Sequence, residues 1–360
     1  MFIYLCASIL ALELACFADI ASRRGPKKEL TIVLLVVSAS ILFAVQAFRE
    51  GVGADYNDVY VNEFYRFAET GESRFELGYT LLMSFALSFK LDYHFVLGVC
   101  AAIIVFGVYL AIYRAKIRYS VGVLLFILSG LFFFSMNGVR QSVAIALLLN
   151  AAVSWENGQR KSFLIYTLIA TMFHMYALLI LLAPVVMRLR LRVGHLLLAF
   201  VSMLVLSPLI TSTLIGIGAH VSNQIYLYAN NDYLREIYLS GDFDISDFLL
   251  CAGSICFLLI MNKADDGAGR WKVATPAQAM LSIGVLLTAL TGSVAIVSRA
   301  AAYCSPFLIL AIGQVETEIE LSRKRQIITA VYFASLFALF IYLYLIEGFS
   351  QVLPYVSVFN

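Results

Sequence analysis

Long apolar runs recur along this chain, and no other feature limits its possible folds so sharply. Stretches such as 30–48, 93–113 and 195–217 are apolar throughout and carry no acidic, lysine or arginine residue. A helix of about 20 such residues crosses the roughly 30 Å hydrocarbon core of a bilayer. In lipid, only helices and closed barrels satisfy all their backbone polar groups. Barrel strands alternate apolar and polar residues, and these runs do not. The expected fold is therefore an all-α integral membrane protein, a single polytopic domain over residues 1–360. It should have about 10–12 transmembrane helices, a juxtamembrane outer helix and a broken, returning helix pair. Composition agrees: 62% of residues are hydrophobic and 13% charged, whereas a soluble domain is about half apolar.

Full spans are expected near 2–21, 30–48, 93–113, 120–136, 139–153, 195–217, 248–262, 277–297, 300–314 and 326–346. Segment 77–89 is apolar but too short to span. Segment 162–187 is apolar with basic residues at both ends. Cytoplasmic loops carry an excess of Lys and Arg, and that rule resolves both segments. With 77–89 at the outer surface and 162–187 a returning pair, 18 of the 25 basic residues face the cytoplasm, among them Arg23, Arg114, Arg118, Arg160 and Arg188. Both termini then lie outside. The outer loops are 49–92 and 218–247. Within the first, 49–75 has three basic and six acidic residues; the second has one basic and five acidic. The first apolar segment has no basic start, carries Glu13 and precedes its basic cluster, so it reads as a span and not a signal peptide. The six cysteines lie in apolar segments and read as buried small hydrophobes. A net charge of +2 gives no sign of a nucleic-acid partner.

Charges left at apolar boundaries are functional candidates by default, and most of them fall on the outer side. Arg49-Glu-Gly-Val-Gly-Ala-Asp55-Tyr56 follows the second span. Its glycines permit tight turns, and Asp55 can cap the next helix. In that helix Tyr56, Tyr60, Phe64 and Phe67 form one stripe, which suits a helix lying in the membrane interface. Glu76-Leu-Gly-Tyr79 opens the short outer segment, where an acid also suits the helix dipole. Asn137-Gly-Val-Arg140-Gln141 interrupts a long apolar stretch. Asn137 can cap the new helix, with Arg140 and Gln141 in its first turn, a natural anion site. His174 sits in the middle of the broken segment. Arg299 and Tyr303 are four apart and so share a helix face. Tyr226, Tyr228, Tyr233 and Tyr238 add aromatic character to the second outer loop. Bland readings stand beside each of these: caps, headgroup anchors, interface tyrosines, a satisfied core histidine. Asp19 can pair with Arg23 at i+4. There is no nucleotide-binding loop, zinc-protease motif or serine-nucleophile motif. His94, His195 and His220 lack metal-ligand spacing.

Arg49-x-Gly-Val-Gly-x-Asp55-Tyr56-x-x-x-Tyr60, then Glu76-x-Gly-Tyr79, Met136-Asn137-Gly-Val-Arg140-Gln141-Ser-x-Ala144 and Phe173-His174-x-x-Ala177 resemble, in that order, the EpsG family. These are Wzy-like polysaccharide polymerases of bacterial exopolysaccharide and capsule pathways. Arg299-x-x-x-Tyr303 also resembles that family. The resemblance implies a glycosyltransferase that joins polyprenyl-diphosphate-linked oligosaccharide repeats on the outer face of the cytoplasmic membrane. The layout is similar to that of GT-C membrane glycosyltransferases, by fold-level analogy alone. Within that reading Asp55, Glu76 and His174 are the candidate catalytic acids and bases, Asp55 first. Arg49, Tyr56, Tyr60, Tyr79, Asn137, Arg140, Gln141, Arg299 and Tyr303 are candidate substrate-binding residues. No cofactor and no metal are expected. Expected partners are the lipid-linked donor and acceptor glycans, membrane lipids, and flippase and chain-length regulator proteins. The alternative from another class is a transporter or flippase of lipid-linked saccharides. Transporters carry polar residues along a path through the membrane, whereas here the candidates crowd one side.

Overall fold

The computed structural model describes residues 1–23, 28–189, 191–221, 243–266, 273–292, 295–318 and 323–359. The described residues form helices and connecting turns, with an isolated β-bridge between Arg49 and Ser357. The all-α architecture expected from the apolar runs is what forms. Among the described residues, five helices are long and apolar enough to cross a membrane by length and composition, and further apolar helices are shorter. The chain divides into two compact units. One comprises Met1–Leu178, Ile312–Leu321 and Phe333–Asn360; the other comprises Leu179–Ala311 and Ser322–Tyr332.

The first unit contains α1 (Phe2–Arg23), α2 (Lys28–Ala47), α3 (Asn62–Thr70), α4 (Leu77–Ser88), α5 (Tyr93–Arg114), α6 (Tyr119–Leu128), α7 (Leu131–Phe134), α8 (Val139–Glu156) and α9 (Arg160–Phe173). A π-helical turn, Tyr56–Val61, leads into α3. Small residues let these helices approach, as expected where lipid competes for apolar contact. Ala7, Ala11, Ala15 and Ala18 form a buried stripe on α1. Against it, Ser38 on α2 donates to the Ala11 carbonyl at 2.7 Å and also bonds the Tyr109 hydroxyl of α5 at 2.7 Å. A Cβ added to Gly107 of α5 would lie 3.3 Å from the Ala146 Cβ of α8. Nearby, the Asn150 amide donates to the Gly107 carbonyl at 2.8 Å. The outward faces, with Leu5, Ile9, Phe17 and Val33 exposed, are apolar because their solvent is lipid.

One end of this unit gathers basic residues. Arg114 donates to Asn150 Oδ1 at 3.1 Å and Ser154 Oγ at 2.8 Å, both on α8, and to Gln159 at 3.2 Å just before α9. Arg118 lies 4.0 Å from Asp19. Asp19 does not take its expected role as a partner of Arg23. Its carboxylate accepts from the Tyr119 N–H at 2.8 Å and the Ser120 N–H at 3.0 Å, capping α6 from another helix. Two orphan amides at a helix start outbid an exposed i,i+4 pair. The loop 48–55, the 135–138 turn, the start of α5 and residues 348–359 all lie at the opposite end. Tyr4, near the N-terminus, reaches Met136 (3.4 Å) and the Val352 carbonyl (2.9 Å) there.

Among the apolar segments, the expected span 120–136 is broken, while 77–89 is short and 162–187 is broken as expected. Segment 120–136 divides at Gly130, whose φ of +78° suits glycine; the Tyr344 hydroxyl donates to its carbonyl at 2.9 Å. Segment 77–89 is α4, whose 12 residues extend only about 18 Å. Segment 162–187 breaks at His174, which is extended (φ −162°, ψ 125°) after the 14 residues of α9. The 3-10 turn Met175–Leu182 follows.

The second unit contains α10 (Ala183–Leu189), α11 (Val193–Val221), α12 (Ile245–Asp266), α13 (Pro276–Thr291) and α14 (Ala295–Ala301). Helices α15 (Leu308–Glu318) and α16 (Arg323–Ile341) are divided between the units. Thr275 caps α13 through the Gln278 N–H at 3.2 Å. Buried Asp247 accepts from Ser305 at 2.7 Å. Cys100, Cys251 and Cys304 are buried as expected, but Cys16 and Cys256 are exposed and Cys6 is half-buried, on helix faces where a small apolar thiol can meet lipid. Most of the loop expected over 218–247, with Tyr226, Tyr228, Tyr233 and Tyr238, lies outside the described residues. So do Arg24, Lys27, Arg190, Arg270 and Lys272.

Candidate active site

Two segments about 80 residues apart in sequence build the site: the loop leaving α2 and the turn entering α8. Arg49 is 2% exposed. Its guanidinium donates to the carbonyls of Gln46, Val52 (3.3 Å) and Met136 (3.2 Å), tying both segments together. Burial pushes its pKa below the ordinary value, and nearby tyrosine hydroxyls oppose the shift. Arg49, expected as a substrate contact, therefore faces backbone carbonyls. Gly53 has φ +108°, and a Cβ there would sit 2.6 Å from the Met136 oxygen. Next, the Asp55 N–H donates to Asn137 Oδ1 at 2.8 Å. Two expectations change here. Asp55 precedes the helical turn but makes no side-chain cap bond. Asn137 does not cap α8, whose N-cap position is Gly138, because its side chain is spent on the Asp55 amide.

Three of the four stripe residues face protein, and Phe67 is half-buried. Tyr56, Tyr60 and Phe64 are all under 5% exposed. Tyr56 donates to Glu50 (3.2 Å) and contacts the Arg49 carbonyl (3.3 Å). The Tyr60 hydroxyl accepts from the Val139 N–H at 2.9 Å. Burial pushes the Tyr60 hydroxyl up to about 12; the Arg140 charge acts against this and the Asp55 charge adds to it.

Arg140 and Gln141 fall in the first turn of α8, as expected. Arg140 forms an ion pair with Glu76, and its guanidinium lies 4.0 Å from the centre of the Phe75 ring. Both charged side chains are partly open, at 21% and 27% exposure. Arg140 Nε is buried and has no hydrogen-bond partner among the described residues. Gln141 is 7% exposed. Tyr79 is buried beneath the pair, 5.0 Å from Phe75 and 5.8 Å from Tyr60 between ring centres. A Cβ on Gly78 would lie 2.9 Å from the Met172 carbonyl, so α4 rests on the end of α9, two residues before His174. His174 is half-buried, its ring 5.4 Å from that of Tyr176.

Arg299 and Tyr303 belong to the second unit and do not share an exposed face. Arg299 is exposed and Tyr303 fully buried. The backbone tightens there to i→i−3 bonds, Tyr303 to Ala300 and Cys304 to Ala301, which changes the angular period.

Glu50 and His94 were missed. Glu50 accepts from Tyr56 and Tyr93, both at 3.2 Å, and bonds His94 Nε2 at 2.7 Å. His94 Nδ1 bonds Asp92 at 3.0 Å. Partners 44 residues apart leave no local pattern to read. Among the described residues no group of three or more His, Cys, Asp or Glu is arranged for a metal ion.

The EpsG family model matches residues 32–357 of the chain. No curated protein and no solved structure matches it.

Proposed function

The chain belongs to the EpsG family, which fits a polysaccharide polymerase in broad terms, and from that premise we propose a specific reaction. The protein joins polyprenyl-diphosphate-linked oligosaccharide repeats by glycosyl transfer on the outer face of the bacterial cytoplasmic membrane. One observation carries the reading: the Asp55 N–H bonds Asn137 at 2.8 Å, which sets this partly exposed acid beside the turn that carries the partly exposed Arg140, at the end of the unit opposite Arg114 and Arg118.

In this reaction a hydroxyl oxygen of the acceptor repeat attacks the anomeric carbon of the donor. The bond from that carbon to the diphosphate oxygen breaks, and the lipid diphosphate leaves with the electron pair. Asp55 takes the hydroxyl proton as general base. Arg140 meets the charge growing on the diphosphate with charge-assisted hydrogen bonds. Its partly open guanidinium offers the donors not spent on Glu76 to a phosphate oxygen. Glu76 holds that guanidinium in orientation. Asp55 stands first because its loop is bonded to the turn that carries Arg140. His174 remains the next candidate. Arg49, Asn137, Tyr60 and Tyr79 support these groups from beneath. Clustering at one end, with no trail of charges through the helices among the described residues, supports an enzyme over a carrier of lipid-linked saccharides.

The test is reconstitution of purified protein with lipid-linked repeat units. Wild-type protein should yield a glycan ladder. Asp55→Asn should lower the rate about 10²–10⁴-fold, the range for losing general-base action. Asp55 makes no cap bond, so that loss cannot be assigned to capping. A fully active Asp55→Asn protein moves the base to Glu76 or His174. Absence of a ladder with the wild type overturns the polymerase reading.

A further inference from the structure

The C-terminal residues 348–358 return to the loop that carries Asp55. The Gly53 N–H donates to the Gln351 carbonyl at 3.2 Å, and the Ala54 N–H to the Ser350 carbonyl at 3.1 Å. Four residues upstream, the Glu50 N–H donates to Val356 at 3.0 Å, and the Val358 N–H returns a bond to Phe48 at 3.0 Å. Tyr4 and Tyr355 fasten the same segment, through the Val352 carbonyl at 2.9 Å and the Val45 carbonyl at 3.1 Å. With the Asp55 N–H on Asn137, three consecutive amides, 53 to 55, are each held from outside the loop. Two of the three are held by the tail.

The tail adopts an uncommon backbone to do this. Ser350 and Gln351 both have positive φ, 64° and 50°, and follow Gly348 at 66° with Phe349 between. Non-glycine residues enter that region at a cost, and such strain persists only where surrounding structure enforces it. Here the strained pair aims two consecutive carbonyls at two consecutive amides. Their side chains take no part. The Ser350 hydroxyl is buried without a hydrogen-bond partner among the described residues, and Gln351 is exposed.

We infer that residues 348–358 are a positioning strap for the Asp55 loop, with Ser350 and Gln351 acting through their backbone carbonyls. The inference rests on Asp55 being the base. The strap fixes where that carboxylate stands relative to the acceptor hydroxyl, and an ångström of misplacement can cost about 10²-fold in rate.

Paired substitutions test it. Ser350→Val with Gln351→Val puts β-branched residues at positive φ, where they are genuine outliers. Ser350→Gly with Gln351→Gly removes the same side chains and keeps the backbone accessible. Two readouts apply to purified protein: hydrogen exchange at amides 50, 53 and 54, and polymerisation kinetics. The valine pair should lose protection at those amides and about 10²-fold in kcat, with KM for the lipid-linked repeat unchanged. The glycine pair should restore both. A valine pair with wild-type protection and kcat overturns the strap. So does a glycine pair as impaired as the valine pair, which would assign the effect to side chains, or a defect in KM alone. If the valine protein does not fold, a chain ending at Glu347 supplies the same exchange and kinetic comparison. A wild-type protein that makes no ladder refutes the polymerase reading instead, and the exchange data then judge the strap by itself.

Discussion

Replacing Gly53 by alanine should damage this protein far more than replacing Gly51, two residues earlier, although both are loop glycines with positive φ. At Gly51, φ is +62° and an added Cβ meets nothing within 4 Å. The cost is conformational alone, about 1–2 kcal/mol. At Gly53, φ is +108° and the new Cβ would lie 2.6 Å from the Met136 oxygen, 3.2 Å from the Met136 carbonyl carbon and 3.4 Å from Asn137 Cα. Ordinary contact begins at 3.4 Å, so the closest pair must separate by about 0.8 Å, within the range of displacements that overpacking forces. All three neighbours are backbone, and no side-chain rotation relieves them. Overpacking of this kind adds about 1–3 kcal/mol, for a total of about 2–5 kcal/mol. Relief by parting the two segments would stretch the Asp55–Asn137 bond and move the proposed base, so stability and polymerisation should fall together. Unfolding of the two purified variants in parallel denaturant titrations measures the difference, and the ladder assay measures activity. Equal stability of Gly51→Ala and Gly53→Ala would refute the close approach of loop and turn.

Arg140→Ala should reduce polymerisation by about 10²–10³-fold if the guanidinium meets developing charge. Arg140→Lys should recover only part, since lysine lacks the fork; a fully active lysine variant would show that charge alone suffices. Glu63 predicts a pH response in the segment 62–75. It is 2% exposed; burial would raise its pKa, but hydrogen bonds from the Arg66 side chain and the Arg74 N–H outweigh that and hold it below its ordinary 4.5. A depressed folded pKa gives stability that is present above the unfolded value and lost as pH falls through the folded one. Amides 62–75 should therefore keep full exchange protection above pH 4.5 and lose it progressively below. Glu63→Gln should flatten that dependence, and a wild-type loop equally protected at acid pH would contradict it.

The sequence by itself determined that this chain is a helical membrane protein. Apolar length and missing charge decide that before any tertiary contact exists, because lipid leaves the backbone no other way to satisfy its polar groups. It also located the short 77–89 segment and the break at His174, since too few residues cannot span the core, but it read 120–136, divided at Gly130, as one span. Glycine-rich and charged interruptions pointed to Asp55, Glu76 and Arg140. The pairings of those residues could not be read. Whether Asp55 caps a helix, whether Asn137 does, and whether Arg49 faces substrate or carbonyls depend on which distant segment arrives at each side chain. Asn137 reaches across to the Asp55 amide, Arg49 to Met136, and Glu76 to Arg140. Glu50 with His94, Asp19 with α6, and the tail on the Asp55 loop were invisible for the same reason. A hydrogen bond is settled by distance within about 3 Å. Local periodicity carries that information along one helix and no further; only the packed chain decides it.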